Sequence, residues 1–150
     1  FVIFDIGRQR SVFLNSAFNY FFSAIIRNYE KKKITSASYI CASILIITLI
    51  FDTKIAVVSL LMMSFSDPCA SLFGQCFGQL KLLSKTLEGS IVFFIVSSLI
   101  LMFFSIPYAN VIIVSLVCTI VELLSNKIKI DDNFLVPVAG SATLFLLQYI

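Results

Sequence analysis

The run GSIVFFIVSSLILMFFSIPYANVIIVSLVCTIV, residues 89–121, is 33 residues long and carries no charge. A bilayer core takes about 20 mostly apolar residues per helix, so this run is long enough for two crossings. Pro107-Tyr108-Ala109-Asn110 supplies the turn between them, because proline and asparagine interrupt helices. Further charge-free stretches cover Ser11–Ile26, Ile34–Phe51, Pro68–Leu80 and Asn133–Ile150. Lipid offers backbone groups no water, so spanning segments must be helices or closed barrels, and these Ile/Leu/Phe runs lack the strict alternation of barrel strands. The sequence therefore predicts an all-α fold, a polytopic transmembrane helical bundle of about six spans.

Composition points the same way. Of 150 residues, 59% are apolar and 13% charged, against about half and a quarter in a soluble domain. A soluble globule is excluded. Six spans with short connections use the whole length, so residues 1–150 read as a single integral-membrane catalytic domain with no internal repeat. The chain opens on Phe1, and Phe1–Phe4 reads as the end of a helix, which predicts a further span upstream. The net charge of +3 sits in small clusters at span ends, unlike the extended basic face of a nucleic-acid binder. Cys41, Cys69, Cys76 and Cys118 form no CxxC pair and the chain has no histidine, which argues against zinc and thiol-redox chemistry. The four cysteines read as small packing residues.

Arg27–Lys33 closes the first span and Asp52-Thr53-Lys54 the second. The third begins near Ile55 and must take in Asp67, since Ile55–Ser66 alone is too short to cross. The sixth is Phe134–Ile150. Counted on alternate sides, eight Lys/Arg fall on the face of residues 27–33, 81–88 and 122–133, and three, Arg8, Arg10 and Lys54, on the other. The richer face is cytoplasmic by the positive-inside rule. Arg27, Glu30, Lys85, Glu88, Glu122, Asp131 and Asp132 share it, and Asp67 lies on the helix leading to it. Carboxylates near lipid are costly unless paired, metal-bound or in a wet cavity, so Asp67 and Glu88 are candidates for function. The Lys31-Lys32-Lys33 run reads as a topology and anionic-lipid signal.

Ser66–Lys81 departs sharply from the Leu/Met-rich run before it. On a helix, Asp67, Ser71, Gly74 and Gly78 fall at i, i+4, i+7 and i+11, one stripe of small or polar residues with a carboxylate at its head. Such a stripe admits either a ligand or another helix close to the backbone. Lys85-Thr86-Leu87-Glu88-Gly89-Ser90 then sets a lysine three residues before a carboxylate. A lysine suits phosphate oxygens, and Asp and Glu with Mg²⁺ can hold a polyphosphate. The GxxxxGK[ST] spacing of a P-loop is absent.

Taken in order, Ser66-Asp67-Pro68-x-Ala70-x-x-x-Gly74-x-x-Phe77-Gly78, Lys85-Thr86-Leu87-Glu88-Gly89-Ser90, Val121-Glu122 and Asp132-Asn133-Phe134-x-x-Pro137 resemble the CTP-dependent lipid kinases: dolichol kinase, phytol kinase and yeast-type diacylglycerol kinase. Arg27-x-x-Glu30-Lys31-Lys32-x-Ile34-Thr35 is similar to that family's first cytoplasmic loop. The resemblance implies transfer of the γ-phosphoryl of CTP to the hydroxyl of a membrane lipid alcohol, with Mg²⁺ or another divalent cation. It places the protein in the cytoplasmic membrane of a prokaryote or the endoplasmic reticulum of a eukaryote, its site facing the cytoplasm. In that frame Asp67 and Glu88 bind the metal and Lys85 contacts the triphosphate. Ser71, Gly74, Gly78 and Thr86 line the nucleotide, and Asn133 bonds its base or ribose. Glu122 or Asp132 is the base, and Arg27 and Glu30 make loop contacts.

Two other readings stand beside it. Asp67 and Lys85–Gly89 are also similar to CDP-diacylglycerol synthase, a phosphatidate cytidylyltransferase, but that family's late His-Gly-Gly and Asp-Arg-x-Asp signature has no counterpart in a chain without histidine. A non-catalytic transporter or subunit would instead use Asp67, Glu88 and Glu122 as an intramembrane ion path. The lipid kinases' early Arg-Lys-x-x-His-like motif is not found in Phe1–Arg10.

Overall fold

A computed structural model describes residues 2–22 and 33–148. Among these the chain forms seven helices: α1 Val2–Arg10, α2 Val12–Phe22, α3 Ser36–Ile50, α4 Thr53–Phe77, α5 Leu87–Phe103, α6 Tyr108–Ile128 and α7 Asp132–Gln148. A two-stranded antiparallel hairpin, β1 Lys81–Leu82 and β2 Lys85–Thr86, joins α4 to α5. The fold is thus all-helical apart from a hairpin that the sequence reading had not foreseen. Its tip is Leu83-Ser84, with Leu83 at φ 62°.

Helices α4 and α6, with 25 and 21 residues, are long and apolar enough to cross a membrane; at 1.5 Å per residue they run about 37 and 31 Å. Helices α3 and α5 are equally apolar but shorter, at 15 and 17 residues. The third expected span corresponds to α4, which carries Asp67 in its body and Pro68 beside it. Of the first, Ser11–Ile26, only Val12–Phe22 falls within the described helices. The turn expected at Pro107–Asn110 comes earlier: α5 ends at Phe103, Ser105 takes φ 57°, and Pro107 caps α6. Proline's fixed φ and missing N–H suit a helix start, so Tyr108, Ala109 and Asn110 are already helical.

The bundle packs along seams of small residues. Buried positions on α4 run Ile55, Ser59, Met62, Ser66, Ala70, and on α5 Gly89, Phe93, Ser97, Leu101, the three- and four-residue spacing of one helix face. Ser66 and Ser97 hydrogen-bond across this seam at 2.9 Å. Helix α7 packs on α3, α4 and α6, and a Cβ on Gly140 would meet Met62 and Cys118 at 2.9 and 3.2 Å. The outer faces are apolar: Leu45, Leu49, Ile91, Leu99, Ile112 and Leu116 are all exposed. Cys41 and Cys76 are exposed too, and Cys118 is the cysteine that packs in the core.

The N-terminal segment corrects the sidedness count. Asp5 and Arg8 are fully buried and paired. Asp5 also accepts from the Thr35 N–H at 2.8 Å, the Thr35 hydroxyl and the Ser38 hydroxyl. Arg8 donates to the Lys33 carbonyl at 2.8 Å and to Asn15, and lies 4.2 Å from the Phe18 ring centre. This network ties α1 to the start of α3. Arg8 and Arg10 therefore lie at the same end of the bundle as Lys33, not at the opposite one. Among the described residues, Arg8, Arg10, Lys33, Lys81, Lys85, Lys127 and Lys129 gather at that end and Lys54 alone stands at the other.

Candidate functional site

Four of the residues singled out from sequence converge at the charged end of the bundle. Lys85, on β2, directs its ammonium onto Glu122 of α6 and Asp132 of α7. The bond to Asp132 Oδ2 is 2.7 Å, and Asp67 Oδ1 of α4 lies 4.0 Å away. One oxygen from each of Asp67, Glu122 and Asp132 falls within 4.8 Å of the others. These residues are 65 positions apart at the extremes, and the fold brings them together through three local features. Glu122 continues the buried seam Val111, Ser115, Cys118 down α6, so its carboxylate points inward and its side chain is 3% exposed. Asp132 stands in the first turn of α7, where the helix dipole favours a negative charge. The hairpin turns the chain back over the bundle end and carries Lys85 into reach.

The electrostatics follow from this packing. Burial alone would lower the pKa of Lys85, but the charges and hydrogen bonds of Asp132 and Glu122 outweigh it and leave the value raised. Lys85 is thus a cation at neutral pH. Glu122 Oε1 accepts a hydrogen bond from that ammonium, while Glu122 Oε2 is buried without a hydrogen-bond partner. An oxygen left so in a buried cluster fits a cation, since unsatisfied buried charge is costly.

The remaining candidates are placed differently. Glu88 is not part of the trio: its Oε1 accepts from the backbone N–H groups of Gln79 and Leu80 at 3.0 and 3.1 Å, pinning the base of the hairpin. The glycine stripe is filled by protein. A Cβ on Gly74 would lie 2.7 Å from Thr86 Oγ1, and one on Gly78 would lie 2.6 Å from Thr86 Cγ2 and 2.2 Å from the Gly74 carbonyl oxygen. Gly74 and Gly78 therefore let the start of α5 approach α4 closely, and Thr86 caps α5 by accepting from the Gly89 N–H at 3.2 Å. Ser71 faces outward and accepts from Gln75. Asn133 donates from Nδ2 to Asp131 Oδ1 at 2.6 Å, in the turn that starts α7. Arg27 and Glu30 lie outside the described residues.

Sequence comparison places the chain among known proteins. Over 128 residues the chain is 38% identical to a protein of Triticum aestivum named "Probable phytol kinase, chloroplastic", covering 73% of this chain and 43% of that one. A second, of Glycine max, named "Probable phytol kinase 2, chloroplastic", is 34% identical over 113 residues, covering 64% and 39%. The chain is a relative of the phytol kinases. This bears out the family resemblance read from the motifs between Arg27 and Pro137. An uncharacterized protein of Methanocaldococcus jannaschii is also 38% identical, over 111 residues, covering 72% of this chain and 56% of that one. The chain spans about half the length of these curated relatives. No family model matches it, and no solved structure matches it.

Sequence reading missed the hairpin that delivers Lys85 and the buried Asp5–Arg8 pair. The seam leading to Glu122 was not read either, although the three- and four-residue spacing of Val111, Ser115 and Cys118 ahead of that carboxylate carries a local signal for it. The hairpin had no such signal, because its turn, Leu83-Ser84, lacks glycine and asparagine.

Proposed function

We propose that this chain carries the transfer centre of a CTP-dependent kinase that phosphorylates the hydroxyl of a membrane lipid alcohol, whether a polyprenol such as dolichol, phytol or diacylglycerol. The observation that carries the reading is the meeting of Asp67, Lys85, Glu122 and Asp132 from four separate elements, in a chain whose relatives are named phytol kinases. Phosphoryl transfer asks a protein chiefly for positioning and charge neutralisation. The lipid oxygen attacks the terminal phosphorus, the bond from that phosphorus to the bridging oxygen of CDP breaks so that CDP leaves, and the hydroxyl proton passes to a carboxylate. Asp132 and Glu122 are placed to take that proton, and Lys85 holds both in position. Glu88 acts one step back, fixing the hairpin that presents Lys85.

Asp67, Glu122 and Asp132 would hold a divalent cation such as Mg²⁺, an assignment that the partnerless Glu122 Oε2 supports. We favour this set over the Asp67 and Glu88 pair expected from sequence because its three oxygens lie within 4.8 Å of one another; Glu88 stands outside that group, with Oε1 on backbone N–H groups and Oε2 without a partner. Mg²⁺, when bound, supplies charge neutralisation on the phosphates.

The apolar outer faces of α3, α5 and α6 support an integral-membrane setting, since so much exposed Ile, Leu and Phe would drive aggregation in water. Helices α4 and α6 cross fully, while α3, α5 and α7 cross with local thinning of the bilayer. The one-sided gathering of lysine and arginine supports a cytoplasmic site. It also favours a surface reaction over an ion path across the membrane. The lipid tail enters sideways between helices.

The test is a labelled-nucleotide assay with the purified protein in detergent, offering CTP or ATP with each lipid alcohol in turn. Phosphorylated lipid formed from CTP is the expected product. CDP-lipid formed from phosphatidate would assign the cytidylyltransferase reaction instead.

A further inference from the structure

The segment Ser11–Lys33 begins and ends at one residue. The Ser11 N–H donates to the Arg8 carbonyl at 3.3 Å, and the Arg8 guanidinium donates to the Lys33 carbonyl at 2.8 Å. Twenty-three residues therefore leave the charged end of the bundle and come back to it. Two crossings would take about 40, so the charge-free run Ser11–Ile26, the first span expected from sequence, cannot cross and return.

Helix α2, inside that segment, is built inside out. Its polar side chains face the protein: Asn15 accepts from the Arg8 guanidinium at 2.9 Å and from Asn19 at 3.3 Å. Phe18 is buried on the same side, its ring centre 6.1 Å from that of Phe4 and 4.2 Å from the Arg8 guanidinium. The outer side carries Phe13, Tyr20 and Phe21, which are 81, 81 and 76% exposed. Offsets of seven and eight residues put these three rings on one face of the helix. A surface helix in water turns its asparagines out and its aromatic rings in. Here the order is reversed.

Three features say what covers the aromatic face. With 11 residues, α2 is about 16 Å long, half the thickness of a hydrocarbon core of about 30 Å, so a single leaflet can take it. Its exposed residues are phenylalanine and tyrosine, the side chains of interfacial helices and aromatic belts. Basic residues flank it in sequence, Arg10 before and Arg27, Lys31, Lys32 and Lys33 after, against one acidic residue, Glu30; such a cluster matches an anionic membrane surface. The apolar surface also continues onto α1, where Ile3 and Ile6 are exposed.

We propose that α2 is an interfacial helix, laid into the leaflet at the charged end of the bundle with Phe13, Tyr20 and Phe21 among the headgroups and upper acyl chains. It does not cross, and Arg8 fastens it to the start of α3. The inference rests on the integral-membrane reading above and adds to it a surface whose partner is lipid.

The chain has no tryptophan, so one introduced indole reports alone. Phe13→Trp and Phe21→Trp are made in the whole chain, with Leu45→Trp on the exposed face of α3 and Lys127→Trp at the charged end as references. Each is placed in nanodiscs of phosphatidylcholine brominated either near the glycerol or near the terminal methyl, and acrylamide is added from the water. The expected result at positions 13 and 21 is emission to the blue of Lys127→Trp and a larger loss of fluorescence with the shallow bromines than with the deep ones. Leu45→Trp should lose as much or more with the deep bromines. Emission and acrylamide quenching at 13 and 21 equal to those of Lys127→Trp would put the face in water and overturn the proposal. So would protection from bromines and acrylamide alike, the sign of a second copy or another protein over it, or deep quenching equal to that of Leu45→Trp, the sign of a crossing segment. Each of these leaves the integral-membrane reading standing, whereas a Leu45→Trp that no bromine quenches overturns both.

Discussion

Lys85 Nζ lies 2.7 Å from Asp132 Oδ2, joining the strand before α5 to the first turn of α7 across 47 residues of chain. Glu122 takes a second hydrogen bond from the same ammonium. The lysine that sequence alone suggests as a phosphate ligand is therefore the tie that lets three carboxylates stand together. Removing it exposes them to one another.

Lys85→Ala is expected to cut phosphoryl transfer by about 10² to 10³, the usual cost of losing one preorganised charged group at a transferring centre. It should also lower stability by about 1 to 3 kcal/mol, because Glu122 is left buried beside like charges. Lys85→Ala and Glu122→Gln should couple: the double variant loses less than the sum of the two singles. Thermal melting in detergent and a single-turnover assay read both effects. Additive stability losses would show that the Lys85–Glu122 contact carries no energy.

Asp67→Asn keeps shape and removes charge. Asp67 is the most distant of the trio from Lys85, at 4.0 Å, and partly exposed, so the substitution should alter melting by less than about 1 kcal/mol. Transfer activity should fall nearly to background if Asp67 holds the divalent ion. Activity equal to the unsubstituted protein across a titration of MgCl₂ would remove Asp67 from the metal set.

A close approach of α4 to α5 predicts opposite outcomes for two glycines. Gly74→Ala puts a methyl 2.7 Å from Thr86 Oγ1 and 3.7 Å from the Gly89 Cα, where neither backbone nor cap can yield cheaply. It should cost about 1 to 3 kcal/mol and, by shifting the hairpin, reduce activity as well. Gly7→Ala meets nothing within 4 Å and should be neutral or stabilising by up to about 1 kcal/mol, the helix preference of alanine over glycine. Melting curves of the two variants decide it.

Asp5 gives the fold an acid limit. Burial pushes its carboxyl upward, but hydrogen bonds from the Ser38 hydroxyl, the Thr35 N–H, Arg8 and the Thr35 hydroxyl outweigh this and hold the pKa below its ordinary value. A carboxyl with a depressed folded value contributes stability that is complete above its unfolded value, about 3.9, and is lost as pH falls through the folded one. The melting temperature should therefore drop below about pH 4 more steeply in the native chain than in Asp5→Asn. That variant should already be weaker by about 3 kcal/mol at pH 7. Parallel pH profiles for the two proteins would remove Asp5 as the source.

How much of this was written in the sequence depends on the range of the contact. The helices were legible because charge-free runs and their breaks are local, and so was the small-residue stripe at Asp67, Ser71, Gly74 and Gly78. Its occupant was not, since whether a ligand or Thr86 fills the groove depends on a hairpin whose turn residues give no local signal. Asp67, Lys85, Glu122 and Asp132 could be gathered from motif order, but their pairing could not: Glu88 lies nearer Lys85 in sequence than Glu122 does, yet it bonds to backbone at residues 79 and 80. Arg8 was misplaced because alternating sides along the chain assumes that every apolar run crosses. The Asp5 contacts with Thr35 and Ser38 overrule that assumption.

Topology is tested by impermeant thiol labelling of intact cells. The exposed Cys41 and Cys76 are first replaced by serine, together with the other two cysteines, and single cysteines are then placed at Arg10, Lys33, Lys54, Asn110 and Lys127. The bundle puts Arg10, Lys33 and Lys127 at one end and Lys54 and Asn110 at the other. With Arg8 and Arg10 joined to the lysine-rich end, the charge asymmetry is steeper than the sequence count had it, and the positive-inside rule then predicts that this end faces the cytoplasm. Cysteines at Lys54 and Asn110 should react from outside, and those at Lys33 and Lys127 only after the membrane is opened. Arg10→Cys is the informative position: alternation along the chain predicts external labelling, whereas the Arg8 bond to the Lys33 carbonyl predicts protection. Labelling of Arg10→Cys in intact cells, with Lys33→Cys protected, would break the link between α1 and α3 and return the N-terminal helix to the far side of the membrane.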